Sequence, residues 1–153
     1  MSDVVLIATT VASGLIAGLY FAFSISVMLA LGEVDDRAFV DTMQRINRRI
    51  QNAVFGVVFA AAPIGSIAIA VMELLGDDPR WPVLAGAVLT VAATLITITV
   101  NVPLNNALEA AGPVADGADL AAVRAAFEPR WVRFNHVRGI VSTAGVAFFC
   151  AGL

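Results

Sequence analysis

The chemistry open to this chain rests on few groups. It carries one histidine, His136, one cysteine, Cys150, nine arginines and no lysine, against twelve Asp and Glu. A lone cysteine excludes an internal disulfide, a CxxC redox pair and a zinc finger. A lone histidine excludes bis-histidine haem and any multi-His cluster, so no metal site is expected. What remains in apolar surroundings is one arginine, Arg138, and a set of amides: Gln44, Asn47, Asn101, Asn105 and Asn135. Amides offer directional donors and acceptors, and a guanidinium binds an oxygen or an anion through a planar fork.

Spacing gathers these groups into stripes. At about 100° per residue, Thr90, Thr94, Thr97, Asn101 and Asn105 share one narrow helical face. Asn101 and Asn105 flank Pro103, which cannot donate and frees a backbone carbonyl. The two amides therefore either cap a helix end or line a polar pocket. Trp131, Asn135, Arg138 and Ser142 form a second stripe, extended by Gly145. His136 turns away from Arg138 on the same helix, so it joins that stripe only if the helix start is distorted. Segment 36–51 is amphipathic, with Phe39, Met43, Ile46 and Ile50 on one face and Gln44, Asn47, Arg48 and Gln51 beside them. That second face reads either as solvated surface or as amides turned inward. Thr10, Gly14, Ala17, Phe21, Ser24 and Met28 share a face near the N-terminus, and Gly14 with Gly18 permits close helix packing. Asn52, Phe55, Phe59, Pro63 and Ser66 share another. Phe21 and Phe55 would give flat apolar walls, or simply core.

The elements that must position these groups lie in a membrane. Hydrophobic residues make up 59% of the 153 and charged ones only 14%, and mean hydropathy is +0.88. Such a chain is neither disordered nor an ordinary soluble domain. The net charge of −3 argues against nucleic acid as a partner. Stretches 4–32, 50–72 and 81–108 carry no charge, and each is long enough to cross about 30 Å of hydrocarbon. The last uncharged stretch, 139–153, is too short unless its helix starts near Phe134. The expected fold is thus all-α, one integral membrane four-helix bundle over residues 1–153. Its helices fall at about 4–31, 53–75, 82–105 and 134–152, with short interfacial amphipathic helices at about 36–51 and 119–133. The N-terminal run lacks the basic start and short apolar core of a cleavable signal. Seven arginines fall in the two long connections and only Arg80 in the short one. Positive charge stays inside, which predicts both termini outside. The absence of lysine suggests a GC-rich bacterial genome and the cytoplasmic membrane. Residues 110–117, rich in Ala, Gly, Pro and Asp, read as a loop.

In this order and at this spacing, Gly18-Leu-Tyr-Phe-Ala-Phe-Ser, Met43-Gln-Arg-Ile-Asn47 with Asn52-Ala-Val-Phe55, Asn101-Val-Pro-Leu-Asn105 and Trp131-Val-Arg-Phe-Asn-His-Val-Arg138 resemble the anthrone oxygenase-like membrane family. The resemblance covers nearly the whole chain. One block departs from it: the family's Met-Pro after the first helix is Met28-Leu29 here. The resemblance implies a four-helix membrane protein. Fungal polyketide-pathway members of the family oxidise anthrones to anthraquinones with O2, without metal or flavin, so no cofactor is expected.

That chemistry needs an apolar slot, donors to an enolate oxygen and a proton acceptor. Arg138 and Asn101 would stabilise the oxygen, and His136 or a positioned water would take the proton. Gln44, Asn47, Asn105, Trp131, Asn135, Phe55 and Phe21 would bind the substrate. The competing reading is a membrane subunit or carrier that binds a quinone, lipid or partner protein. The expected partners are membrane lipid and a small apolar aromatic substrate or quinone; self-association into a homo-oligomer is left open. A buried polar side chain costs several kcal/mol unless hydrogen-bonded. Gln44, Asn47, Asn101, Asn105, Asn135 and Arg138 are therefore expected to meet in one pocket.

Overall fold

A computed structural model describes residues 2–114 and 119–153, and among them every regular element is helical. Helix α1 runs Ser2–Ala22, passes through a π-helical turn at Phe23–Val27 and ends with Met28–Gly32. Helix α2 is Asp36–Ile50 and α3 is Ala53–Leu74. Helix α4 runs Trp81–Ile96, passes through a second π-helical turn at Thr97–Asn101 and continues as Val102–Ala110. Helix α5 is Leu120–Ala151. Three stretches are long and apolar enough to cross a membrane: Asp3–Gly32, Ala53–Leu74 and Trp81–Ala110. The chain is a membrane protein.

Local sequence explains the boundaries. The Asp35 carboxylate accepts from Ala38 N at 2.8 Å and starts α2, and Arg48 and Arg49 favour its C-terminus. Asn52 Oδ1 accepts from Phe55 N at 3.0 Å and starts α3 after a break of two residues. Pro82 occupies the first turn of α4, where a missing N–H costs nothing. Gly112 has a φ of +81°, the left-handed conformation that ends α4. Pro103 is the second residue after the second π-helical turn. An extra residue per turn there accommodates the bond a proline cannot make.

Two expectations change. Residues 120–151 form one helix where an interfacial helix and a separate span were expected. Pro129 lies inside it, but Phe127 and Trp131 are buried on either side and packing carries the helix through. Gly14 and Gly18 meet nothing that an added Cβ would touch. Close packing occurs instead where a Cβ on Gly86 would lie 2.9 Å from Gly145 O and 2.6 Å from Phe149 Cδ1. Residues 115–117 of the expected 110–117 loop lie outside the described residues.

Helix α1 packs on α3 and α5, and α4 packs on the same two. At the end formed by the α3–α4 loop, Leu6, Ile69, Val83, Ala87 and Phe149 make one core. Arg80 locks it. It pairs with Glu73 at 2.6 Å and Asp3 at 3.1 Å, and donates to Gly152 O at 3.2 Å. The opposite end has a second core, in which Phe39, Val40 and Met43 of α2 meet Met28, Leu31, Leu108, Phe127 and Trp131. Arg124 clamps α2 there. It pairs with Glu128 at 2.6 Å and Asp36 at 3.1 Å, donates to Val34 O, and lies 4.5 Å over the Phe39 ring. The Glu128 hydrogen bond, the largest influence, holds Arg124 above the ordinary arginine pKa.

Candidate functional site

The half of α3 nearer α2 leaves a gap. The buried residues of α3 are Ala62, Ser66, Ile69 and Glu73, so none lies in its first nine residues. Pro63 marks the change and cannot donate to the Phe59 carbonyl one turn back. Ahead of it, Phe55 and Phe59 stack on each other at 5.5 Å and form one wall of a cavity of about 220 Å³. Leu19, Tyr20 and Phe23 of α1 and Ile46, Asn47 and Ile50 of α2 supply further walls. Thr97, Asn105 and Asn106 of α4 and Trp131 and Arg138 of α5 complete it. The lining is largely apolar, with amides and one guanidinium, the usual make-up of a small-molecule site.

Arg138 is 6% exposed. Its Nη2 and Nε donate to Asn135 Oδ1 at 2.9 and 3.2 Å. The same Asn135 donates through Nδ2 to Tyr20 O at 3.0 Å and Ser24 Oγ at 2.8 Å, which fixes its orientation. The guanidinium lies 4.1 Å over the Tyr20 ring and 5.2 Å from the Trp131 ring. No carboxylate among the described residues pairs with it. Trp131 Nε1 donates to Asn105 Oδ1 at 2.7 Å. The Tyr20 hydroxyl and Thr97 Oγ1 are 3.0 Å apart, and because Thr97 donates to Ala93 O, Tyr20 is the donor. Asn47 is buried on the cavity wall, and its Nδ2 has no protein partner.

Not every expected residue faces this space. Asn47, Asn105, Trp131, Arg138 and Phe55 line it, and Asn135 supports it from behind. Asn101 is fully buried but donates to Trp131 O at 3.3 Å, tying the π-helical turn of α4 to α5 rather than lining the cavity. Gln44 donates to Leu108 O at 3.0 Å and Gly112 O at 2.9 Å, which caps the end of α4. His136 and Phe21 are exposed and line a separate outer groove between α1 and α5. Helical spacing carries His136 to the far side of α5 from Arg138, with no distortion to bring it back. Tyr20, Phe23, Ile46 and Thr97 also line the cavity, although none of them was assigned to the substrate from the sequence. The signal for Tyr20 was its burial register, two turns beyond Ser13.

Residues 43–148 match the anthrone oxygenase family. The chain belongs to that family. The matched region runs from within α2 into α5, so it includes the cavity-lining residues of four of the five helices that wall the cavity. No curated protein and no solved structure matches the chain.

Proposed function

We propose that this family member is a cofactor-independent oxygenase that oxidises an anthrone-like or hydroquinone-like aromatic substrate with O2. In this reading the chain is a four-helix transmembrane bundle in a bacterial cytoplasmic membrane, with both termini outside. One observation carries the functional reading: a buried guanidinium with no carboxylate partner lines an apolar cavity. Burying an unpaired charge is costly, and an oxyanion formed during reaction would offset that cost.

The chemistry can be followed atom by atom. An anthrone's methylene loses a proton to a positioned water and becomes an enolate, whose charge falls on the former carbonyl oxygen. Arg138 stabilises that oxygen, and removing such a donor from a site typically costs about 10²–10³ in rate. The enolate passes one electron to O2, and the resulting radical and superoxide join through a new C–O bond. Return of the first proton gives a hydroperoxide. Loss of the second methylene hydrogen with O–O cleavage then gives the quinone carbonyl and one water. Both hydrogens leave in that water, so the site must hold the first proton and need not export it. Trp131, Phe55 and Phe59 supply flat surface for the rings, and Asn47 Nδ2 and Asn105 supply edge contacts.

The test is oxygen uptake by protein reconstituted in lipid, with anthrone as substrate under metal-free conditions. One O2 consumed per anthraquinone formed, above the spontaneous rate, is the expected result. No uptake above that rate overturns the reading. Heat protection by a quinone without uptake would assign the cavity to a quinone-binding subunit or carrier.

A further inference from the structure

Hydroxyl side chains in apolar helices usually satisfy themselves by donating to the carbonyl one turn back. Thr10, Ser66, Thr94, Thr97, Thr99 and Thr143 all do so, at 2.7–2.9 Å. Ser13 Oγ and Thr90 Oγ1 do not. Both are buried, at 3% and 5% exposure, and neither has a protein hydrogen-bond partner. They line the same small void, together with Tyr20, Thr94 and Ser142 and the apolar groups of Ile16, Phe59, Ala62 and Ala93. Its free volume is about 10 Å³, close to what one water needs.

Register explains why the void is there. Helices α1 and α4 run in the same direction, both starting at the Arg80 end. The Tyr20–Thr97 hydrogen bond joins positions 77 apart in the chain. Ser13 and Thr90 are also 77 apart, each seven residues before its counterpart. They form the same rung, two turns nearer the Arg80 end. A tyrosine is long enough to cross between the helices, and a serine is not. The remaining gap holds two unpartnered hydroxyls, Ser13 Oγ and Thr90 Oγ1, on a lining that is otherwise mostly apolar. A void of this size takes up water where buried polar groups lack partners, whereas a wholly apolar one stays dry.

We propose that the void binds a single water molecule, which bridges Ser13 Oγ and Thr90 Oγ1 and so completes a second rung between α1 and α4. The site stands apart from the oxygenase reading and needs no substrate. Its direct test is a crystal structure of the wild-type protein in a lipid phase, at a resolution that shows ordered water. One density peak within hydrogen-bond distance of both oxygens is expected, and an empty void overturns the proposal.

Thermal unfolding of Ser13→Ala, Thr90→Val and the double variant in lipid nanodiscs gives a second, independent readout. If water joins the two hydroxyls, either single change lowers Tm by about 2–4 °C. The double variant then loses no more than the worse single one. Losses that add, or single variants at wild-type Tm, overturn the proposal. Ser13→Asn, whose amide reaches into the water's place, should restore or raise Tm. None of these readouts depends on activity, so their failure leaves the oxygenase reading standing, and the reverse also holds.

Discussion

Two arginines held among these helices are treated in opposite ways. Arg80, at the end formed by the α3–α4 loop, has two carboxylates and a backbone carbonyl around it. Its hydrogen bond with Glu73, the largest influence, raises its pKa above the ordinary arginine value. Arg138, near α2, has aromatic faces and one amide oxygen. The packing around them differs in the same sense. Beside Arg80, helices close to backbone contact at Gly86 and Gly145. Beside Arg138, the first half of α3 stands off and leaves the cavity. One end spends its polar groups on one another. The other leaves a donor, Asn47 Nδ2, and a cation without protein acceptors of matching charge. A polar group left unsatisfied in an apolar medium persists when something outside the fold satisfies it.

The sharpest break in that contrast is Arg138→Met. It should lower substrate-dependent oxygen uptake by about 10²–10³ while leaving Tm unchanged or higher, because an unpaired buried charge is removed. A large fall in Tm would put Arg138 in the same class as Arg80. The converse change is Gly86→Val. Its side chain must enter space held by Phe149 and the Gly145 backbone, and overpacking of this kind costs about 1–3 kcal/mol. Tm should fall, and the uptake per folded molecule should hold. Trp131→Phe tests the boundary between the two regimes. It deletes the 2.7 Å bond to Asn105, worth about 1 kcal/mol, and should raise KM a few-fold while lowering Tm by about 2–4 °C. His136→Gln should matter least, with uptake and its pH profile both unchanged, since His136 faces the outer groove.

How far the sequence could be read depended on helix continuity. Trp131, Asn135, Arg138 and Ser142 were expected on one face, and all four are buried, because α5 holds one α-helical phase throughout. The α1 stripe went wrong because it ran Phe21 and Met28 together across a π-helical turn that spacing arithmetic does not register. Tyr20, the neighbour of Phe21, occupies the inward position instead. The contact of Gly86 with Gly145 joins two helices, and no pattern within either one announces it. Asn101 and Gln44 were chosen by residue type, and both serve backbone carbonyls. Type alone does not separate an amide that meets a ligand from one that ties two helices together. The all-helical class and the apolar spans, by contrast, followed from composition and length, which local phase does not affect.

The π-helical turns at Phe23–Val27 and Thr97–Asn101 also uncouple chain length from angular phase. Each accommodates one surplus residue without breaking its helix. Deleting a single residue there, Ile25 or Ile98, lets the segment relax to an ordinary α-helix. The two sides keep their relative orientation, because the wide turn had already absorbed the surplus residue's rotation of about 100°. Deleting Ile25 would leave Tyr20 inward and Met28 and Leu31 in the core they share with α2. Deleting Ile98 would likewise leave both Thr90 and the Asn105–Trp131 contact in place. A one-residue deletion is thus absorbed at each of these places, whereas elsewhere in α1 or α4 it turns one side by about 100° against the other.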